Sequence, residues 1–322
     1  MATAPVTEDP SFTVRPTGSI QEARELWWPL MKELGWNRDP SDTATHFHSA
    51  RQGSDWLVLV PKETSKPEGC VVAFTYPNGT GWVGFFIVNA AYRGKGWGRA
   101  LFHALLARYI ESNTTIVGLD GVFEQIKTYE RRGFVDVAKI RLMVRPSLNE
   151  KPLPTTEYAL EEGERTEDIR EVNTGVLADI DFAHTGMERR LLWSREAMFE
   201  RKDAYGYVIG SVAGDGFNSS GFIIVRRCEH GHRFGPLYAE SYAHASMLLR
   251  KAMERVRDSE GSMIAEIFGS NVNGVKVFEE LGWALSGMDY NRMWLGGRVP
   301  QEQQDGGKGT TGMFAIFDAS EG

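Results

Sequence analysis

Cysteine is nearly absent: the 322 residues include only Cys70 and Cys228. Two cysteines so far apart make no disulfide framework and fit a reducing compartment. Long apolar runs are missing as well. No stretch of about 18 consecutive apolar residues occurs, so no membrane-spanning helix is expected. Residues 1–12 carry no basic stretch followed by an apolar core, so no secretory signal is expected there. Positive charge is in deficit, with 36 Lys and Arg against 43 Asp and Glu and a formal net charge of -7. That balance argues against a nucleic-acid partner and gives no support for an anionic membrane surface. Together these absences lead us to expect a cytoplasmic protein, the nucleus not excluded, with neither nucleic acid nor membrane as partner.

What is present suits a soluble globular chain: 42% apolar and 25% charged residues. The length exceeds that of one ordinary domain, and a repeat explains it. Tyr129-Glu130-Arg131-Arg132-Gly133-Phe134 and Phe278-Glu279-Glu280-Leu281-Gly282-Trp283 both read as a helix end with glycine at the left-handed position after it. They lie 149 residues apart, as do the strand-like runs beginning at Trp56 and Tyr205. Phe12-Thr13-Val14-Arg15 has a counterpart in Glu157-Tyr158-Ala159-Leu160. Cys70-Val71-Val72-Ala73-Phe74 pairs with Gly221-Phe222-Ile223-Ile224-Val225, and Arg141-Leu142-Met143-Val144 with Arg292-Met293-Trp294-Leu295.

In the first copy, short β-branched and aromatic runs bounded by Gly, Pro and Asn predict strands near 12–16, 55–60, 69–76, 81–88, 114–119 and 134–145. Helices are predicted near 19–34, 98–111 and 123–132. In 98–111, Leu101, Leu105, Leu106 and Tyr109 form an apolar stripe. The expected division is a disordered N-terminus at 1–11, a first domain at 12–146, a Pro-containing linker at 147–155 and a second domain at 156–322. Met313-Phe314-Ala315-Ile316-Phe317 reads as a final strand returning to the second sheet.

Arg93-Gly94-Lys95-Gly96-Trp97-Gly98-Arg99 sits between the strand ending at Val88 and the helix opening at about Gly98. First-turn N–H groups lack intrahelical partners and the helix dipole adds positive charge there, so such a junction binds anions. The spacing fits neither a Walker loop nor a dinucleotide fingerprint. A turn without a ligand is the bland alternative, and three bases beside three glycines weigh against it.

The string Arg-Gly-Lys-Gly-Trp-Gly-Arg-Ala-Leu resembles the acetyl-CoA motif of the GNAT superfamily of N-acetyltransferases. Leu34-Gly35-Trp36-Asn37, Gly84-Phe85-Phe86-Ile87-Val88, Gly118-Leu119-Asp120-Gly121-Val122 with Gln125, and residues 129–134 resemble a tandem subfamily. In it an active N-terminal GNAT domain precedes a degenerate GNAT-like one. Gly235-Pro236-Leu237-Tyr238-Ala239 and Arg292-Met293 resemble its second-domain marks. The resemblance covers nearly the whole chain. It implies an α/β fold (α+β mixed sheet) of two tandem acyl-CoA N-acyltransferase domains, the second degenerate. Acetyl-CoA would be the cosubstrate, with no metal, and the acceptor a primary amine of a small molecule or peptide, attacked directly in a ternary complex. A non-catalytic acetyl-CoA-binding sensor or interaction protein is the alternative.

The resemblance also assigns roles. Phe86, Ile87 and Val88 would pair with the pantetheine arm and donate an N–H to the oxyanion, while Arg93, Gly94, Lys95, Gly96, Trp97, Gly98 and Arg99 would hold the pyrophosphate. Tyr129 would protonate the CoA thiolate; a core tyrosine is the bland alternative. The strand before the loop has no carboxylate, so Asp120, at a strand end where sheet ligands collect, is the candidate base; as an N-cap or turn former it would be structural. Glu124 is a weaker candidate. Trp28, Trp36, Asn37 and Gln125 are candidate acceptor contacts, although the tryptophans could belong to the core. In the second copy Ala239-Glu240-Ser241-Tyr242-Ala243-His244 replaces the basic glycine loop, so no CoA binding is expected there, and that half is expected to serve as scaffold and substrate wall. Cys228-Glu229-His230-Gly231-His232 and His46-Phe47-His48 read as solvent-exposed turns rather than metal sites.

Overall fold

Short strands punctuated by Gly, Pro and Asn build the first half of the computed structural model, which describes residues 7–155, 158–213 and 216–322. The chain divides into two units. Unit 1 takes the described residues up to Leu119, with residues 188–201 and Glu321; unit 2 takes residues 120–187, 202–320 and Gly322. In unit 1, β1 (Thr7–Glu8), β2 (Phe12–Pro16), β3 (Trp56–Pro61), β4 (Gly69–Thr75) and β5 (Thr80–Val88) pair antiparallel in that order. Thr7 and Glu8 therefore pair within the stretch expected to be disordered, and residues 1–6 lie outside the described residues.

Helix α1 (Ile20–Glu33) starts where Ser19 accepts a hydrogen bond from the Glu22 amide, while the Glu22 carboxylate accepts from the Gly18 amide at 2.6 Å. This is a variant of the capping box. Ala23, Leu26, Trp27, Leu30 and Met31 form its buried stripe. A second helix, α2 (Asp42–Ser49), buries Asp42, Thr43, Thr45, His46 and Ser49, an unusually polar set. After β5, helix α3 (Trp97–Glu111) crosses over and packs on β3, β4 and β5, and the chain returns as β6 (Ile116–Val122). β6 pairs in parallel with β5 only at Thr80, Gly81 and Trp82, opposite Ile116, Val117 and Gly118.

In unit 2 the chain runs through α4 (Ile126–Glu130), β7 (Phe134–Arg145), β8 (Glu164–Asp168), α5 (Thr174–Thr185), β9 (Tyr205–Ala213), β10 (Gly216–Cys228) and β11 (Gly231–Tyr238). It continues through α6 (Tyr242–Arg255), β12 (Ser262–Phe268), α7 (Gly274–Glu280), β13 (Ala284–Leu295), α8 (Lys308–Gly312) and β14 (Met313–Ala315). The sheet order is β13-β7-β12-β14-β11-β10-β9-β8. α6, α7 and the sheet enclose a core that includes Ile223, Leu248, Met253, Ile267 and Phe278.

Three features of this sheet were not evident in the sequence. β7, a strand of the first repeat, pairs antiparallel with β12 and β13 of the second, with Ala265 opposite Met143 and Tyr290 opposite Ile140. The compact units thus divide the chain at Leu119, while self-similarity divides it near residues 147–155. The first strand of the second repeat is the charged run Glu164–Asp168; Glu157 lies outside the described residues, and residues 158–160 form no strand. A strand at the sheet margin needs no apolar pattern and is safer with charges. Lastly, β11 and β12 run parallel from Gly231 opposite Ser262 to Phe234 opposite Ala265, then part. β14 fills the gap, antiparallel to both, with Leu237 and Ile267 each opposite Ala315. The expected returning strand is thereby located between the two strands of the wedge.

Candidate functional site

The glycine loop of unit 1 is shaped by its two left-handed residues. Gly94 and Gly96 have φ of 79° and 81°, a conformation that side-chain-bearing residues adopt at a cost of order 1–2 kcal/mol. A Cβ at either would meet nothing within 4 Å, so backbone conformation, not crowding, selects glycine here. Gly96 is the N-cap of α3 and has no side chain to occupy the first-turn donors. Arg93, Lys95 and Arg99 are exposed. Arg93 Nε donates to Val88 O at 2.8 Å, tying the loop to the end of β5. Tyr92 stacks on Trp97 with centroids 5.1 Å apart, and Lys95 Nζ lies 4.8 Å from the Tyr92 ring centroid. A Cβ on Gly98 would contact Phe86 Cζ at 3.7 Å, so the helix start lies close to β5. Glycine backbone, helix N-terminus and exposed bases together fit a polyphosphate anion.

β5 is kinked next to this loop. Phe85 has φ of 47°, rare for an aromatic residue, at a cost of order 1–3 kcal/mol. The register slips there: Cys70 faces Ile87 but Val72 faces Gly84, which makes a β-bulge. The Phe85 carbonyl accepts from Cys70 Sγ at 3.5 Å, and burial pushes that thiol up to about 12. Phe86 and Val88 are half-buried and Ile87 is buried.

Tyr129, Asp120 and Gln125 belong to unit 2. Tyr129 lies on α4, half-buried, with its ring 6.1 Å from that of Phe134. Burial pushes its phenol up to about 12, partly offset by Arg132. Asp120 is in β6 with its side chain fully buried, and both of its oxygens accept from Arg292, at 2.9 and 2.7 Å. Its carboxyl is raised by burial, against the lowering effect of Arg292. Gln125 is exposed at the start of α4, and Glu124 is exposed beside it. In unit 1, Trp28 is half-buried on α1 with Lys32 Nζ 5.9 Å from its ring centroid, while its neighbour Trp27 is fully buried. Trp36 and Asn37 are half-buried just beyond α1.

His230 is exposed in the hairpin turn, as expected, whereas His232 is half-buried and Cys228 is buried. His46 is not in an exposed turn: it is buried on α2, with Nδ1 3.0 Å from Glu321 Oε2. No short-range pattern joins residues 275 apart, so this pair has no signature in the local sequence. Among the described residues no group of three or more His, Cys, Asp or Glu could hold a metal ion, and no helix is long and apolar enough to cross a membrane.

A strand, a left-handed glycine turn and a helix N-terminus, beside parallel strands that part, make a site suited to a phosphate-bearing donor. Residues 20–134 match the acetyltransferase (GNAT) family model, so the chain carries a GNAT domain and is an N-acyltransferase of that type, with acyl-CoA as donor. The chain is 28% identical over 253 residues to holothin acyltransferase of Pseudoalteromonas sp. (strain SANK 73390), which spans 77% of this chain and 76% of that one. Its fold is similar to that of a putative acetyltransferase from Pyrococcus horikoshii, with TM-score 0.71, 19% identity and 98% of both chains covered. It is also similar to a tandem GNAT protein from the clavulanic acid biosynthesis pathway, with TM-score 0.59, 15% identity, and 88% of this chain and 97% of that one covered. The arrangement is a tandem one of two GNAT-like folds.

Proposed function

We propose that the protein transfers an acetyl group from acetyl-CoA to a primary amine of a small molecule or peptide, by direct attack in a ternary complex. The observation that carries this reading is the loop before α3, where Gly94 and Gly96 free the helix N-terminus for a pyrophosphate among Arg93, Lys95 and Arg99. Trp97 and Gly98 complete that site, and the β5 edge at Phe86, Ile87 and Val88 would carry the pantetheine arm and an oxyanion donor. The relative named a holothin acyltransferase supports acyl transfer as the reaction and leaves room for acyl groups other than acetyl.

In the proposed reaction the neutral amine nitrogen attacks the thioester carbon. The C–S bond breaks, its electron pair passes to sulfur, the Tyr129 phenol supplies the proton to the thiolate, and the proton that the acylated nitrogen sheds restores the phenol. A phenol raised to about 12 holds its proton at neutral pH, as an acid must. A lysine-like amine is mostly protonated at neutral pH, so a base must remove a proton, and Asp120 is the proposed group, directly or through water. Its ion pair with Arg292 sets the condition: one oxygen must exchange its partner for the acceptor's proton. Trp28, Trp36, Asn37 and Gln125 are the proposed acceptor contacts.

Catalysis in this reading belongs to residues 12–146, beyond the linker at 147–155 lies a domain at 156–322 that takes no acyl-CoA, and the protein acts in the cytoplasm. Two observations support the silent domain: Glu240 and Ser241 stand where a basic glycine loop would, and β14 fills the wedge between β11 and β12. Thiol release from acetyl-CoA across a panel of amines tests the proposal; binding without turnover with every amine would favour a sensor instead.

A further inference from the structure

The kink at Phe85 is held by a cage of rings. Trp27 meets the Phe85 ring edge-on with centroids 5.5 Å apart, Trp56 stacks on it at 6.0 Å, and His46 meets it edge-on at 4.9 Å. The Arg38 guanidinium lies 5.8 Å from its centroid. Trp27 and Trp56 come from the apolar core that α1 and β3 build in any case. His46 is different. A buried imidazole needs polar partners, and here they come from Glu321, whose Oε2 is 3.0 Å from Nδ1. Ser49, one turn along α2, donates to the other Glu321 oxygen. The Glu321 backbone is fixed in turn, because Arg189 Nη1 donates to its carbonyl at 2.6 Å. α2 is further gripped by Thr45 donating to Ala197 O at 2.7 Å and by Arg201 bound to Asp42 at 2.7 Å. All these residues belong to unit 1.

A buried carboxylate is a costly way to hold one helix against a sheet, since an apolar contact of the same volume serves stability as well. What the polar arrangement adds is a fixed orientation of the imidazole edge against Phe85. That ring is attached to the left-handed residue where β5 turns out of register, and the next three residues, Phe86, Ile87 and Val88, are the edge assigned above to the acyl-CoA arm.

We propose that His46 and Glu321 are positioning residues for acyl transfer: the Glu321-oriented imidazole locks Phe85 in its left-handed kink and so fixes the direction of the β5 edge that receives the thioester. This rests on the assignment of that edge to the donor. Neither His46 nor Glu321 transfers a proton to or from substrate in this scheme.

The test uses the full chain with Glu321→Ala, Glu321→Gln, His46→Phe and His46→Ala. The readouts are hydrogen exchange of the Phe86, Ile87 and Val88 amides, melting temperature, and steady-state kinetics with acetyl-CoA. Glu321→Ala and His46→Ala are expected to speed exchange at those three amides and to lower kcat about 10-fold or more, as a misdirected reactive geometry does, with KM for the amine unchanged. Glu321→Gln, which can still bridge His46 and Ser49, is expected to restore most of both. If the alanine variants fail to fold, Glu321→Gln and His46→Phe decide: the first must stay near wild type and the second must lose kcat and β5 protection. A loss of melting temperature with kcat and β5 exchange intact would overturn the proposal. If the wild type acetylates no amine, the proposed function fails by itself, while exchange at β5 still decides whether Glu321 and His46 hold the kink.

Discussion

Arg292 grips Asp120 with two nitrogens, at 2.9 and 2.7 Å, across 172 residues of sequence. The guanidinium also donates to Gln303 Oε1 at 3.0 Å, and Gln303 in turn donates to Thr185 O at 2.8 Å. Nothing in either local sequence pairs these residues, and both side chains are withdrawn from water. Removing one partner of such a pair strands a buried charge. Arg292→Met is therefore expected to destabilise unit 2 by about 3–5 kcal/mol, read from urea unfolding. Asp120→Asn strands the guanidinium less severely, because the amide oxygen still accepts. If Asp120 is the base, this variant lowers kcat about 100-fold or more at a modest stability cost. The wild-type rate then falls as pH falls through an Asp120 pKa raised above its ordinary value. An unchanged kcat in Asp120→Asn leaves the residue a structural anchor of Arg292.

Tyr129→Phe preserves the ring packed on Phe134 and removes only the proton. A kcat about 100-fold lower, with KM for acetyl-CoA nearly unchanged, is the expected outcome. Because burial raises the phenol to about 12, the wild type should show no loss of kcat from Tyr129 ionisation up to about pH 10. An alkaline limb below that value which disappears in the variant would contradict the assignment.

Gly96→Ala forces a Cβ into a left-handed position at the mouth of α3. Surrounding space is open, so the penalty is conformational and local, of order 1–2 kcal/mol. Weaker donor binding by about tenfold, with little change in melting temperature, is expected by titration calorimetry. Equal affinity in the variant would mean that the loop does not hold the phosphates.

His184 links pH to the stability of unit 2. Its ring stacks on Tyr238 at 4.7 Å and Nδ1 lies 2.7 Å from Ile180 O. Burial lowers its pKa to about 4, with Lys308 adding to the shift and Asp181 and Glu240 opposing it. Between that value and the ordinary 6.5 the unfolded chain binds the proton that the folded chain refuses. The contribution of neutral His184 is thus complete above about pH 6.5 and is lost as pH falls towards 4, amounting to about 3 kcal/mol. In His184→Phe the unfolding free energy should lose that part of its slope across the window. A slope equal to that of the wild type would contradict this.

Much of the first repeat was legible in the sequence because its signals are local. The strands at Phe12–Pro16 and Phe134–Arg145 fall where β-branched and aromatic runs predict them, and α3 begins one residue before its predicted start. The glycine loop was legible for the same reason, since phosphate binding by backbone needs glycine at fixed positions beside a helix. α2 was harder to read: Asp42, Thr45, His46 and Ser49 look like a surface segment and become buried only because Arg201, Ala197 and Glu321 receive them. The partners of β7 were equally hidden. Its apolar pattern specifies a strand, but pairing with β12 and β13 is set by contacts more than a hundred residues away. Asp120 read as a candidate base by its place at a strand end, and its ion pair with Arg292 had no sequence signature at all.

The most direct measurement is a combined titration and turnover of the purified full chain with acetyl-CoA and a panel of primary amines. Calorimetry should give one acetyl-CoA per chain, because only the first glycine loop is intact and β14 fills the wedge of the second sheet. Thiol release should depend on the amine, with an acetylated product by mass spectrometry, and should collapse in Tyr129→Phe. Two sites per chain, or bound acetyl-CoA with no thiol released for any amine, would contradict the account.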